Sequence, residues 1–254
     1  MSKQDIFFDI GAHMGLFADY IHKKNKDVIL YLVDPITEGL STFKNNPNFK
    51  IIDKVITNNY DPLTEIKYNT YENSALASMF EIKDNNDLDK VWKPYKEDIK
   101  NHKTISVNTE TLKNIISMDS IDEISFVKID AQGEDLNVLL SAGNMLERIN
   151  SCVMEVSYEK ELSLYKEEIS LEESIEKIFE LGFVPFRIVP NGGGECNIFI
   201  YNKNFGLEKY MELEKKYDFR NAPTLKLNNM SMYHDLVTIK DLAGGLKRYF
   251  KKFI

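Results

Sequence analysis

Ile6-Phe7-Phe8-Asp9-Ile10-Gly11-Ala12-His13-Met14-Gly15-Leu16-Phe17 decides how the rest of the chain is read. Five mostly apolar residues that include an acid lead into a turn bearing two glycines and then into apolar residues at helical spacing, the order of a strand, a tight turn and a helix. Such a turn sets backbone N–H groups at a helix N-terminus, where partial positive charge favours an anionic group of a ligand. Gly11 and Gly15 are the positions where a Cβ would fill ligand space. The spacing is D-x-G-x-H-x-G, with His13 between the glycines, and it lacks the G-x-G-x-x-G of dinucleotide-binding turns.

Working outward, Leu16, Phe17, Tyr20 and Ile21 keep one apolar face as far as Lys24, and Val28–Val33 is an unbroken apolar run of the kind a strand covered on both faces needs. It ends at Asp34-Pro35, nineteen positions after Gly15, where a carboxylate can accept from both hydroxyls of a ribose. Phe49–Ile56 reads as a third strand, with Asp53 placed either to accept from the amine of a purine or to face solvent in an alternating pattern. Ile124–Asp130 repeats the theme: an apolar strand ends in Asp130, and Ala131-Gln132-Gly133-Glu134 leads into a helix at Leu136–Leu140. In an open parallel sheet ligands sit outside the carboxyl ends of the strands, so Asp9, Asp34 and Asp130 are expected on one rim.

Ser151–Tyr158 is a further strand in which Glu155 is an acid among apolar residues, a position that needs a partner or a proton. Leu171–Leu181 is an amphipathic helix closed by Gly182. Phe183–Val189 and Cys196–Tyr201 form a terminal hairpin, and Pro185 places the first of its strands at an edge. Between Asn59 and Asn101 the pattern weakens: a strand within Asp61–Tyr71, a small-residue loop at Asn73–Met79, and a charged segment Glu81–Lys103 holding Trp92 and Pro94-Tyr95. Residues 59–103 read either as an insertion of the kind that encodes substrate choice or as a solvated helical excursion. Thr104–Thr109 is a strand again, and Leu112–Met118 a short helix.

Composition narrows the class. The chain has 254 residues and a net charge of −8, which argues against a dedicated nucleic-acid binder. No run is long and apolar enough to span a membrane, and Met1–Asp5 lacks a signal core, so a cytoplasmic location is expected. Cys152 and Cys196 are too few for a disulfide framework, and no C-x-x-C occurs. The end of the chain, Leu246–Ile254, is basic and aromatic. It can pack on its own domain, on a partner or on an anionic membrane surface.

The succession Asp9–Gly15, Val33-Asp34-Pro35, Val127–Glu134 and Ser141-Ala142-Gly143, continued by Glu155-Val156-Ser157 and Leu181-Gly182-Phe183, resembles the FkbM family of methyltransferases over residues 5 to about 203. Lys113, Asn197 and Gln132 stand where that family commonly has acids. The resemblance implies a class I Rossmann-like α/β fold: a mostly parallel seven-stranded sheet with a terminal antiparallel hairpin and helices on both faces, formed by residues 1–203, with 204–254 as a helical extension. It implies S-adenosylmethionine as cofactor, held by Asp9, Gly11, Ala12, His13, Gly15, Asp34, Pro35, Asp53 and Asp130, and transfer to a hydroxyl of a sugar or glycan precursor. Asp130 is the expected base, Glu155 its partner, and Lys128 or His13 a polar aligner. Any divalent metal would fall to Asp130 and Glu155. So little chain precedes the first strand that a helix folded over the cofactor must be absent or come from elsewhere. The competing readings are an inactive cofactor-binding module that recruits a partner or membrane through its basic tail, and a nicotinamide-dependent reductase.

Overall fold

The computed structural model describes residues 4–84, 92, 97–192, 194–222 and 225. The segment Leu246–Ile254 and Pro94-Tyr95 lie outside the described residues. Among the described residues, ten strands and five α-helices occur in the order β1 (Ile6–Ile10), α1 (Leu16–Lys24), β2 (Ile29–Val33), β3 (Phe49–Ile52), β4 (Val55–Ile56), β5 (Glu65–Thr70), β6 (Lys103–Glu110), α2 (Leu112–Met118), β7 (Phe126–Ile129), α3 (Asp135–Leu140), β8 (Ser151–Ser157), α4 (Leu171–Glu180), β9 (Phe183–Gly192), β10 (Glu195–Asn202) and α5 (Gly206–Tyr217).

Seven strands form one sheet in the order β3-β2-β1-β7-β8-β10-β9. Pairing is parallel from β3 through β8, and β10 runs antiparallel to both β8 and β9. Chain order reverses beside β1, so the loops after β1 and β7 open a crevice at their carboxyl ends. The central strands are apolar on both faces because both faces are covered. On one face Phe7, Leu30, Phe126 and Phe199 pack with Phe17 and Ile21 of α1 and Tyr210, Leu213 and Tyr217 of α5. On the other, Phe8, Tyr31, Val127 and Met154 pack with residues of α2, α3 and α4. Neighbouring residues such as Phe7 and Phe8 serve opposite cores, as the period of two requires.

Local signals explain the element ends. Ser170 and Glu173 form a reciprocal capping box at α4, satisfying two otherwise orphaned N–H groups, and Gly182 at φ +84° stops the helix. Pro185 lies on β9, the edge strand, beside a register shift between Phe199 and Ile200; an edge position is where its missing N–H costs nothing.

The expected third strand is the main departure. Phe49–Ile56 does not run through: β3 ends at Ile52 in the large sheet, and Val55-Ile56 pairs with β6 in a separate three-stranded sheet of order β4-β6-β5. Asp53 and Lys54 occupy the break. An apolar run alone does not reveal which sheet each end joins. The small sheet carries the Ser74–Met79 loop over the crevice, anchored by Ser78 pairing with Asn69 and by the Tyr68 hydroxyl donating to the Ala77 carbonyl at 2.8 Å. Among the described residues no helix is long and apolar enough to cross a membrane.

Candidate active site

The crevice beside β1 is a cavity of about 1060 Å³ counting its open mouth, and Asp9, Gly11, Ala12, His13, Asp34, Pro35, Lys128 and Asp130 all line it. The three strand-end acids therefore share one rim. Lys54, Tyr68, Ser74, Met79, Gln132 and Glu134 also line the cavity, none of them among the cofactor-binding or catalytic residues expected from the sequence. For Gln132 and Glu134 the signal was present, since both follow Asp130 in the turn that resembles the family. Tyr68 and Lys54 had no signal, because they arrive from the second sheet and from the break between strands.

At the floor, Lys128 is 2% exposed. Its Nζ lies 3.2 Å from Asp9 Oδ1 and 3.3 Å from Asp130 Oδ2, and it donates to the Gly11 carbonyl at 3.3 Å. Burial works to lower the pKa of this ammonium, but Asp130 and Asp9 outweigh it and raise it above the ordinary lysine value, so Lys128 is a fixed cation and no proton acceptor. Asp9 is fully buried. Burial raises its pKa, against the pull of Lys128 and of the Ala18 N–H.

Asp34 stands at the end of β2 with Oδ2 accepting from the His13 N–H and Oδ1 from the Ile36 N–H, each at 2.8 Å. These bonds hold the carboxylate still, and each oxygen keeps a lone pair for a further donor. Burial nonetheless raises its pKa. His13 adopts φ +48°, and its Nε2 lies 2.9 Å from Ser74 Oγ across the cavity mouth. Glu134 ties the turn after β7 to the chain after β4, accepting from Thr57 Oγ1 and from Asn59 and Asn137.

Several expectations are corrected. Four N–H groups of the glycine turn are not presented to a ligand: those of Gly11 and Ala12 donate to the Val33 carbonyl, that of Gly15 to Ala12, and that of His13 to Asp34. Nor do the glycines clear ligand space. At Gly11 (φ +69°) a Cβ would sit 1.8 Å from the Asp130 carbonyl oxygen, and at Gly15 (φ +68°) 2.4 Å from Phe43 Cε2. They are needed because protein packs there, and Gly15 is outside the lining. Asp53 is also outside it, with its side chain 73% exposed and 3.4 Å from Lys54, because the strand breaks where Asp53 would have turned inward. Glu155 lies behind the wall, reached only through Gln132, whose Nε2 is 2.7 Å from Asp130 Oδ1 and 3.5 Å from Glu155 Oε2. Burial pushes the Glu155 pKa well up, with Asp130 and Asp135 adding to it. Among the described residues no group of three or more His, Cys, Asp or Glu side chains is placed to hold a metal ion.

Four acids, Asp9, Asp34, Asp130 and Glu134, thus face two lysines, Lys54 and Lys128, in one wall. Such a wall attracts a cationic ligand rather than the anion that a donor-rich turn would draw. A seven-stranded sheet in this order, with an acid-bearing crevice at the carboxyl ends of β1, β2 and β7, is that of a class I methyltransferase. The model of the methyltransferase FkbM domain matches residues 9–185, and the chain belongs to that family of S-adenosylmethionine-dependent methyltransferases. No curated protein matches the sequence.

Among solved structures, the chain is similar to the pyocyanin biosynthetic protein PhzM (11% identity, 80% of this chain and 52% of that one, TM-score 0.40). It is also similar to the mitomycin 7-O-methyltransferase MmcR (10%, 78% and 49%, 0.40) and to M. capricolum TrmK in complex with S-adenosyl-homocysteine (10%, 99% and 93%, 0.43). It spans about half the length of PhzM and MmcR.

Proposed function

We propose that this chain transfers the methyl group of S-adenosylmethionine to a hydroxyl group, with a sugar or glycan precursor as the acceptor class. The observation that carries the reading is the Asp9-Lys128-Asp130 triad at the floor of a cavity whose wall is richer in acids than in bases. The residues fit the cofactor. Asp34 has acceptor capacity for a ribose diol, and the acids suit a ligand carrying a sulfonium and an ammonium. When bound, S-adenosylmethionine supplies a methyl carbon made electrophilic by the sulfonium.

The chain's part is to align the acceptor oxygen and keep water out. Asp130 takes the hydroxyl proton: its side chain is 31% exposed to the cavity, and its oxygens are steadied by Lys128 and Gln132. Lys128, a permanent cation, holds Asp9 and Asp130 in register. Glu155, whose pKa burial has raised, is the neutral neighbour behind Gln132 rather than a second base. His13 and Ser74 meet at the mouth, where they can contact the acceptor, and the Ser74–Met79 loop shields the reacting atoms.

The test is direct. Asp130→Asn is expected to lower turnover by roughly 10³-fold, measured as S-adenosylhomocysteine release across a panel of nucleotide sugars and glycans, while S-adenosylhomocysteine affinity by calorimetry stays within about threefold. Unchanged turnover would remove Asp130 from this role. Absence of binding to either form of the cofactor would remove the reading itself.

A further inference from the structure

Gln132 is held in a way its place in a turn does not require. It adopts φ +52°, a region unfavourable to residues with a Cβ and retained where surrounding contacts over-determine it. Those contacts come from both ends of the residue. Its carbonyl accepts from Ser78 Oγ at 2.7 Å. Its side-chain Oε1 faces the Tyr165 hydroxyl at 2.8 Å, whose single proton is shared with the Leu76 carbonyl at 3.0 Å.

Tyr165 does not line the cavity. It is 1% exposed, packed with Trp92 and Leu164, and burial keeps its hydroxyl protonated by raising its pKa well above the usual value. Acids on one side and the Tyr165 hydroxyl donating on the other together fix which way the amide points: Oε1 turns toward Tyr165, and both Nε2 hydrogens turn toward acids, one to Asp130 and one toward Glu155. The reverse orientation would set an amide oxygen against two carboxyl groups. Asp135 adds a further carboxyl at this turn, accepting from the Ala131 and Glu155 N–H groups, and Gln132 is the two-donor amide set between Asp130 and Glu155.

We propose that Gln132 is a positioning residue that aims the Asp130 carboxyl into the cavity, and that Tyr165, from outside the cavity, sets the end of the Gln132 amide that does so. The inference rests on Asp130 being the base of the proposed reaction, and it has a part that can be read without that reaction. Gln132→Met is expected to lower kcat about 100-fold and Tyr165→Phe about tenfold, with S-adenosylhomocysteine affinity and acceptor KM within about threefold of the wild type. Because both act through one amide, the double variant should lose no more than Gln132→Met alone.

Separately, the side-chain amide protons of Gln132 in a 15N-correlated NMR spectrum should carry the downfield shift of bonds to carboxylate. That shift should be lost in Tyr165→Phe and in Asp130→Asn while the backbone spectrum persists. Amide signals unaltered in Tyr165→Phe would overturn the orienting role of Tyr165. Full kcat in Gln132→Met would overturn the positioning role, as would additive losses in the double variant. A wild type that turns over no acceptor would overturn the reading of Asp130 together with the positioning role built on it, leaving the amide spectrum to judge the geometry alone.

Discussion

Two groups of carboxyls lie on either side of Gln132, and they are built by opposite rules. On the cavity side Asp9 and Asp130 share the buried ammonium of Lys128. Behind the wall, Asp135, Glu155, Glu168 and Glu195 gather with their pKa values raised, chiefly by burial. The side chains that donate to Glu155 and Glu168 are neutral: Asn191 donates to Glu155 Oε1, and Ser157 donates to Glu168 Oε1 at 2.5 Å. A buried acid survives either by sharing a cation or by holding a proton. The first solution ties the acid to a fixed cation, and the second lets burial favour its protonated form. One strand end can therefore be reactive and its neighbour inert although both carry the same functional group.

The comparison can be broken most severely at Lys128. Lys128→Met leaves two acids at the cavity floor without their cation and should cost roughly 3–5 kcal/mol, read by urea denaturation. A loss below about 1 kcal/mol would mean that the triad does not anchor the cavity floor. Gly11→Ala comes next. A Cβ at φ +69° and 1.8 Å from the Asp130 carbonyl must push the turns after β1 and β7 apart, and roughly 3 kcal/mol is expected from strain and overpacking.

On the other side of Gln132 the sign reverses. The folded pKa of Glu155 is raised, so its contribution to stability is present below the unfolded carboxyl value of about 4.3 and is lost as pH rises through the folded value. Glu155→Gln, neutral throughout, should raise Tm by about 3 °C at pH 8 and by much less at pH 5. A variant less stable than the wild type at pH 8 would show that Glu155 is an ion after all. Asp53→Asn sharpens the contrast by doing almost nothing: an exposed acid paired at 3.4 Å with its neighbour is expected to change stability by less than about 0.5 kcal/mol and to leave S-adenosylhomocysteine affinity unaltered.

Much of this was legible in the chain itself. Apolar runs ending in Asp34 and Asp130, and the run through Asp9 into its glycine turn, announced a parallel sheet with an acidic rim; Pro185 announced an edge, and Gly182 a helix end. These are local signals, written in residues close in sequence, so propensity, periodicity and capping suffice to read them. Only the tertiary structure decided that Phe49–Ile56 divides between two sheets, that Gly11 is there for the Asp130 carbonyl, that the N–H groups of Gly11, Ala12, His13 and Gly15 are already taken, and that Gln132 stands between two acids under the hydroxyl of Tyr165. Each of these depends on groups distant in sequence, 119 residues from Gly11 to Asp130 and 33 from Gln132 to Tyr165. Burial and partner, which set whether an acid is a charge or a proton store, do not exist until the chain has folded.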